Sequence, residues 1–235
     1  MFDIDGTLTR TNTVDTDCFV AALREIFQIS EIDTDWSTYR HATDQGCLEE
    51  ILQKYRGSPG SEDELMHAKQ RFVELLRERA DSDIELFRPI PGAIETLTYL
   101  RGLPDVAIAL ATGAWFESAQ TKLLMAGVGV AGIPIATCDD SLAREEIMRI
   151  AERRAKHTVN VPFRTKTYVG DAVWDVQASS NLDYNFIGVG SGIGAEHLKA
   201  KGAKWIVPDL DQAGAFLSIL EEIWAAEPAD SPDSE

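Results

Sequence analysis

Four aspartates offer the clearest chemistry in this 235-residue chain. Asp3 and Asp5 stand two apart in "MFDIDGTLTR", and Asp171 and Asp175 stand four apart in "YVGDAVWDVQAS". Side chains two apart on an extended segment point the same way, so Asp3 and Asp5 can face one site, and Gly6 permits a sharp turn directly behind them. Residues four apart share a helical face, so Asp171 and Asp175 can do the same. Each pattern alone has a plainer reading: Asp-x-Asp-Gly as a turn, Asp171 as a helix cap. That reading does not explain two acidic clusters at the ends of two apolar strands. Four converging carboxylates repel one another unless a cation sits among them. Hard oxygen ligands with room left for water and phosphate favour Mg²⁺.

The elements that must position these acids are legible as short apolar runs with helical patterns between them. Strands are expected at Met1–Ile4, Val106–Ala111, Ile133–Thr137, Thr167–Gly170, Asn185–Gly190 and Trp205–Val207. Amphipathic segments separate most of them. One runs from Pro91 through Ile94, Leu97 and Leu100 to Gly102; another, capped by Asp140 or Ser141, carries Leu142, Ile147, Ile150 and Ala151. Strands alternating with helices imply a mostly parallel sheet with helices on both faces, an α/β fold that binds ligands at the carboxyl ends of its strands.

Residues 13–87 break this rhythm. Phe19, Leu23, Ile26 and Phe27 share one helical face, as do Leu48, Ile51, Leu52 and Tyr55. Ser61 and Glu64 form a capping box before Leu65, Ala68, Phe72, Leu75 and Leu76. Three helices without a strand suggest an all-α insertion (13–87) in an α/β core (1–12 and 88–225). The acidic, Pro/Ser-rich end, 226–235, reads as a disordered tail.

Two more strand ends bear on the site. Thr112 in "VAIALATG" offers a hydroxyl, and Gly113 a backbone N–H, to a phosphate oxygen; the plainer reading is a threonine-capped turn. Arg144 opens the next helical pattern, near Arg149, Arg153 and Arg154, and only its position separates it from them.

Composition narrows the partners. A net charge of −17 repels the nucleic-acid backbone and anionic membrane surfaces, so neither is expected as a partner. A small anionic substrate stays open, because a local cation can reverse the field in one cleft. Cys18, Cys47 and Cys138 are odd in number and widely spaced, which fits neither a disulfide framework nor a zinc site and suits a reducing cytoplasm. The start has neither the basic nor the apolar region of a secretory signal, and no run spans a bilayer. A soluble cytoplasmic protein is expected.

In order, "FDIDGTLT", "LATG", Arg144 and "VGDAVWD" resemble the four motifs of the haloacid dehalogenase-like superfamily, particularly its phosphatases, and the helical insertion resembles the small α-helical cap of phosphoglycolate-phosphatase-like members. The resemblance implies a Rossmann-like core, Asp3 as a nucleophile that forms an aspartyl-phosphate, and Asp5 as general acid and base. It implies Mg²⁺ held by Asp3, the backbone carbonyl of Asp5 and Asp171, with Asp175 in support, and a small phosphorylated metabolite as substrate. Thr112 would bind the phosphoryl group, and Arg144 would offset charge on Asp3 and phosphate. Asp5 speaks against true dehalogenase activity, since those relatives lack the second aspartate.

Other readings compete. A phosphoryl-transferring mutase or a phosphonate hydrolase would use the same scaffold; the latter needs a lysine from the cap, and Lys54 and Lys69 both read as facing solvent. "GSGIGA" imitates a dinucleotide fingerprint, with Asp211 about twenty residues on, but it follows the fifth strand and precedes only a short helix. Substrate contacts are expected from the polar stretch "YRHATDQG", with Arg40, His41, Thr43 and Asp44 acting as a group. Relatives have several more apolar residues before the first aspartate, so the strand beneath Asp3 is expected to be short and weakly anchored.

Overall fold

The computed structural model describes residues 1–159, 162–211 and 214–226. Within it, six α-helices and five short parallel strands alternate after an opening stretch of three helices. The order is α1 (Asn12–Phe27), α2 (Asp44–Arg56), α3 (Glu62–Ser82), α4 (Ala93–Arg101), β1 (Leu110–Ala111), α5 (Phe116–Met125), β2 (Ile135–Ala136), α6 (Arg144–Val159), β3 (Thr167–Gly170), α7 (Val173–Asn181), β4 (Asn185–Val189), α8 (Gly192–Ala200), β5 (Trp205–Val207) and α9 (Ala215–Ala226). Short 3₁₀ turns at Trp36–Thr38 and Ile84–Phe87 complete the helical stretch. Among the described residues no helix is long and apolar enough to cross a membrane. The tail expected at 226–235 lies, from 227 on, outside them.

The sheet forms in two pieces, β1–β2 and β3–β4–β5, with registers such as Leu110↔Ile135 and Val169↔Ile187. The opening residues join them. Phe2 bridges in parallel to both Leu110 and Val169; Phe2 N–H donates to Ala109 O at 2.9 Å and Asp3 N–H to Val169 O at 2.9 Å. The segment expected to be a strand at Met1–Ile4 is thus central but contributes only isolated bridges. Strand alternation places neighbours on opposite faces. Tyr168, Phe186 and Ala111 pack toward α6, α7 and the helical stretch; Val169, Ile187 and Leu110 pack toward α4, α5 and α9.

The helical stretch leaves and returns at one place. Arg10 N–H donates to Arg88 O at 2.8 Å, and Ile90 N–H to Leu8 O at 3.0 Å. The Ser61–Glu64 capping box forms at the start of α3, a motif whose cap alone is worth about 1 kcal/mol. Phe19, Phe72 and Trp115 meet at centroid distances of 5.7–6.2 Å, which ties α1 and α3 to the residue preceding α5.

Two expectations need correction. The helix expected to include Leu142 begins only at Arg144. Asp140 does not cap it, because its carboxylate accepts the Thr137 N–H (3.1 Å) and both guanidinium nitrogens of Arg154 (2.7 Å each). Lys69 does not face solvent either: it pairs with Glu117 (2.6 Å) and Asp139 (2.8 Å), holding α3 against α5. Lys54 is exposed, as expected.

Candidate active site

Three carboxylates gather at the ends of the central segments. Asp3 follows the Phe2 bridge, Asp171 follows β3, and Asp175 lies in the first turn of α7; one oxygen from each falls within 4.8 Å of the others. Gly6 makes the close approach possible. Its φ is +71°, and a Cβ there would stand 1.9 Å from Asp171 Oδ2. Asp171 is not a helix cap, since Ala172 occupies that position; its Oδ2 accepts the Asn12 side-chain N–H at 2.8 Å. Asp175 Oδ2 accepts the Ala172 N–H at 3.2 Å, leaving Oδ1 buried without a donor, as is Asp3 Oδ1.

Arg144 is the compensating charge. Its Nη1 lies 3.6 Å from Asp3 and 3.4 Å from Asp175, while Nη2 donates to the Ala42 carbonyl at 3.0 Å. The neighbouring Arg149, Arg153 and Arg154 instead make exposed pairs with Glu146 and Asp140. Desolvation raises the Asp3 carboxyl above its ordinary range, with Arg144 opposing. Desolvation and the Asp3 charge push Asp171 well up. Asp175 rises to about 7 by desolvation, against the pull of Arg144. Three crowded carboxylates, two with undonated oxygens, fit a hard divalent cation. Asp5 stands apart from this trio: its carboxylate accepts Thr11 Oγ1–H on Oδ1 and the Lys122 ammonium on Oδ2, both at 2.5 Å. Only its backbone remains for the role the resemblance gave it at the metal.

A cavity of about 580 Å³ opens over this floor. Asp3, Asp5, Thr112, Gly113, Arg144 and Asp171 line it from the core side. Phe19, Trp36, Thr43, Asp44 and Cys47 line it from the helical stretch, His197 from α8 and Lys201 from just after it. Thr112 is buried, its Oγ1 accepting the Ala114 N–H at 3.2 Å. Thr43 caps α2 by accepting the Gly46 N–H at 3.3 Å, so its hydroxyl is already in use. Arg40 and His41 are not among the lining residues; Arg40 is exposed, with its backbone N–H bound to Glu50 at 3.0 Å. Lys54 and Lys69 do not line the cavity, whereas Gly194 of "GSGIGA", in the first turn of α8, does.

Sequence reasoning missed Lys122 and Asp15, and named Asp44 only as one of the polar residues expected to contact substrate, where it does line the cavity. Lys122 is fully buried, with Nζ 2.5 Å from Asp5 Oδ2 and 2.5 Å from Asp15 Oδ1. An unpaired ammonium there would cost several kcal/mol. Desolvation works against its charge, but Asp15, Asp5 and Asp44 outweigh it and the pKa rises. Desolvation lifts Asp15 to about 6 despite Lys122, and lifts Asp44, beside Asp15, to about 8. A signal was present: Lys122 shares a helical stripe with Ser118, Ala119 and Ala126, the inward face of α5.

Comparison with known proteins now decides the family. The haloacid dehalogenase-like hydrolase family model matches residues 1–183. The chain belongs to that family. No match was found among the curated proteins. Similar solved structures include a hydrolase from Pseudomonas syringae (22% identity, TM-score 0.70, covering 94% of this chain and 97% of that one). A β-phosphoglucomutase from Clostridium difficile is 20% identical, with TM-score 0.69 and 95% and 96% coverage. CbbY from Rhodobacter sphaeroides in complex with phosphate is 17% identical, with TM-score 0.67 and 91% and 94% coverage. At these identities the likeness is one of fold, and it matches the α/β architecture read from the strand and helix order.

Proposed function

We propose that this chain is a Mg²⁺-dependent phosphatase of small phosphate monoesters that works through a phosphoryl group carried on Asp3. One observation carries the reading. Asp3 lines the cavity with an undonated carboxylate oxygen, 3.6 Å from Arg144 Nη1 and grouped with two further carboxylates. The phosphate ligand of CbbY and the phosphomutase activity in another neighbour's name support phosphate chemistry on this fold.

Asp3, Asp171 and Asp175, with the Asp5 carbonyl, would hold Mg²⁺, which when bound screens the charge of the incoming phosphate. The Asp3 carboxylate is already a base at neutral pH and attacks phosphorus without prior deprotonation. Its new bond to phosphorus forms as the ester P–O bond breaks, and Asp5 delivers a proton to the departing oxygen. Asp5 then takes a proton from water, the water oxygen attacks the phosphoryl-Asp3, and inorganic phosphate leaves with Asp3 restored. Arg144 offsets the charge of Asp3 and of the phosphoryl oxygens. The Thr112 hydroxyl and Gly113 N–H receive those oxygens in this reading. Helices α1–α3 serve as the cap. Asp44 N–H donates to Gly113 O (2.9 Å) and Arg144 to Ala42 O, so the seated cap shields the phosphoryl group from bulk water.

Phosphate release from a panel of phosphate monoesters, with and without Mg²⁺ and chelator, tests this. Chelator-sensitive release that vanishes in Asp3→Asn is expected. Release that survives Asp3→Asn refutes it. Formation of an isomeric sugar phosphate in place of inorganic phosphate identifies a mutase instead.

A further inference from the structure

We propose that Lys122 is a positioning residue for Asp5, clamping its carboxylate so that it meets the departing oxygen of the substrate. The proposal rests on the phosphatase reading and adds to it a group outside the four motifs. Lys122 reaches Asp5 from α5, a helix that supplies no other group to the chemistry. Its Nζ lies 2.5 Å from Asp5 Oδ2 and 2.5 Å from Asp15 Oδ1, and Thr11 holds Oδ1 of Asp5 from the other side at 2.5 Å. Two donors, one on each oxygen, fix the carboxylate plane, while each oxygen keeps a second lone pair and Asp5 still lines the cavity. Asp15 belongs to α1 and Asp5 to the turn that precedes it, so the ammonium also fixes that turn against α5.

A lysine that merely filled space could be replaced by an apolar chain of like volume. Here its full burial leaves the ammonium no water, and its carboxylate partners are the acid–base residue and the α1 residue that anchors it. The fixed geometry matters because proton transfer works only from within hydrogen-bond reach of the reacting oxygen.

The test uses the leaving group. Proton delivery is needed for an alkyl phosphate, whose departing alkoxide is a strong base, and hardly at all for 2,4-dinitrophenyl phosphate. First-turnover rates of phosphoryl transfer are measured for Lys122→Met with both esters, alongside Asp5→Ala and the double variant. A loss of about 10²-fold or more is expected with the alkyl ester, and less than about 10-fold with the dinitrophenyl ester. The double variant is expected to match Asp5→Ala. Equal losses on both esters, or additive losses in the double variant, would overturn the proposal. Should Lys122→Met fail to fold, Asp15→Asn takes its place. It removes the second tether and is expected to give the same leaving-group signature at smaller amplitude; a uniform loss would overturn the proposal there too. A wild-type chain that releases phosphate from neither ester defeats the phosphatase reading and this inference together, whereas an active wild type with a uniform loss defeats the Lys122 assignment alone.

Discussion

The Asp44 carboxylate, in the first turn of α2, accepts the backbone N–H of Trp115 at 2.9 Å, just ahead of α5. This contact seats the helical stretch on the core next to the Asp44 N–H bond to Gly113. Desolvation and the Asp15 charge raise the Asp44 pKa to about 8. In the unfolded chain an aspartate titrates near 4. The folded state therefore binds the proton more tightly, and this group's stabilisation falls as pH rises from about 4 toward 8. Asn at this position keeps a carbonyl acceptor for Trp115 and carries no charge. Asp44→Asn should match wild type in Tm near pH 3.5 and gain on it as pH rises toward 8. A Tm difference that does not change across that range would contradict the assignment.

Arg144 supports a second prediction. Removing one partner of a buried charge set leaves the others uncompensated, at a typical cost of about 3–5 kcal/mol. Arg144→Met should lower unfolding stability by that order, read by urea denaturation, and abolish activity. Adding Asp175→Asn should restore part of the stability, because one of the two stranded carboxylates disappears, but no activity. Full additivity of the two losses would show that the pair does not interact as described.

Gly6 gives a third. Alanine there meets both a positive φ and a contact of 1.9 Å with Asp171 Oδ2. The backbone strain is about 1–2 kcal/mol, but the larger effect falls on the acidic trio, since Asp171 must move. Calorimetric titration of Gly6→Ala with Mg²⁺ should show affinity reduced about tenfold or more in a chain that still folds by circular dichroism. Wild-type affinity would mean that Asp171 does not need its present place.

What could be read beforehand, and what could not, follows from which signals are local. The acids at Asp3 and Asp171 were legible because a carboxylate directly after an apolar run is unusual and each has a glycine nearby, Gly6 and Gly170. The capping box of α3 was legible because its two residues specify each other within one turn. The strand ends were less so: Val106–Ile108 read as strand by composition, but β1 holds only Leu110–Ala111, because pairing with β2 sets the strand's extent and pairing is not local. The partners of Lys122 were not legible, since its three carboxylate neighbours lie 78 to 117 positions away along the chain. The fold brings them together; the helix by itself does not.

The most direct test of the central claim is to stop turnover with acid, reduce with borohydride and map the modified residue by peptide mass spectrometry. An acyl phosphate on Asp3 would be reduced to homoserine at position 3, in the wild type and not in Asp3→Asn. Active enzyme that yields no homoserine at position 3, or a phosphoryl group mapped to any other side chain, would contradict it.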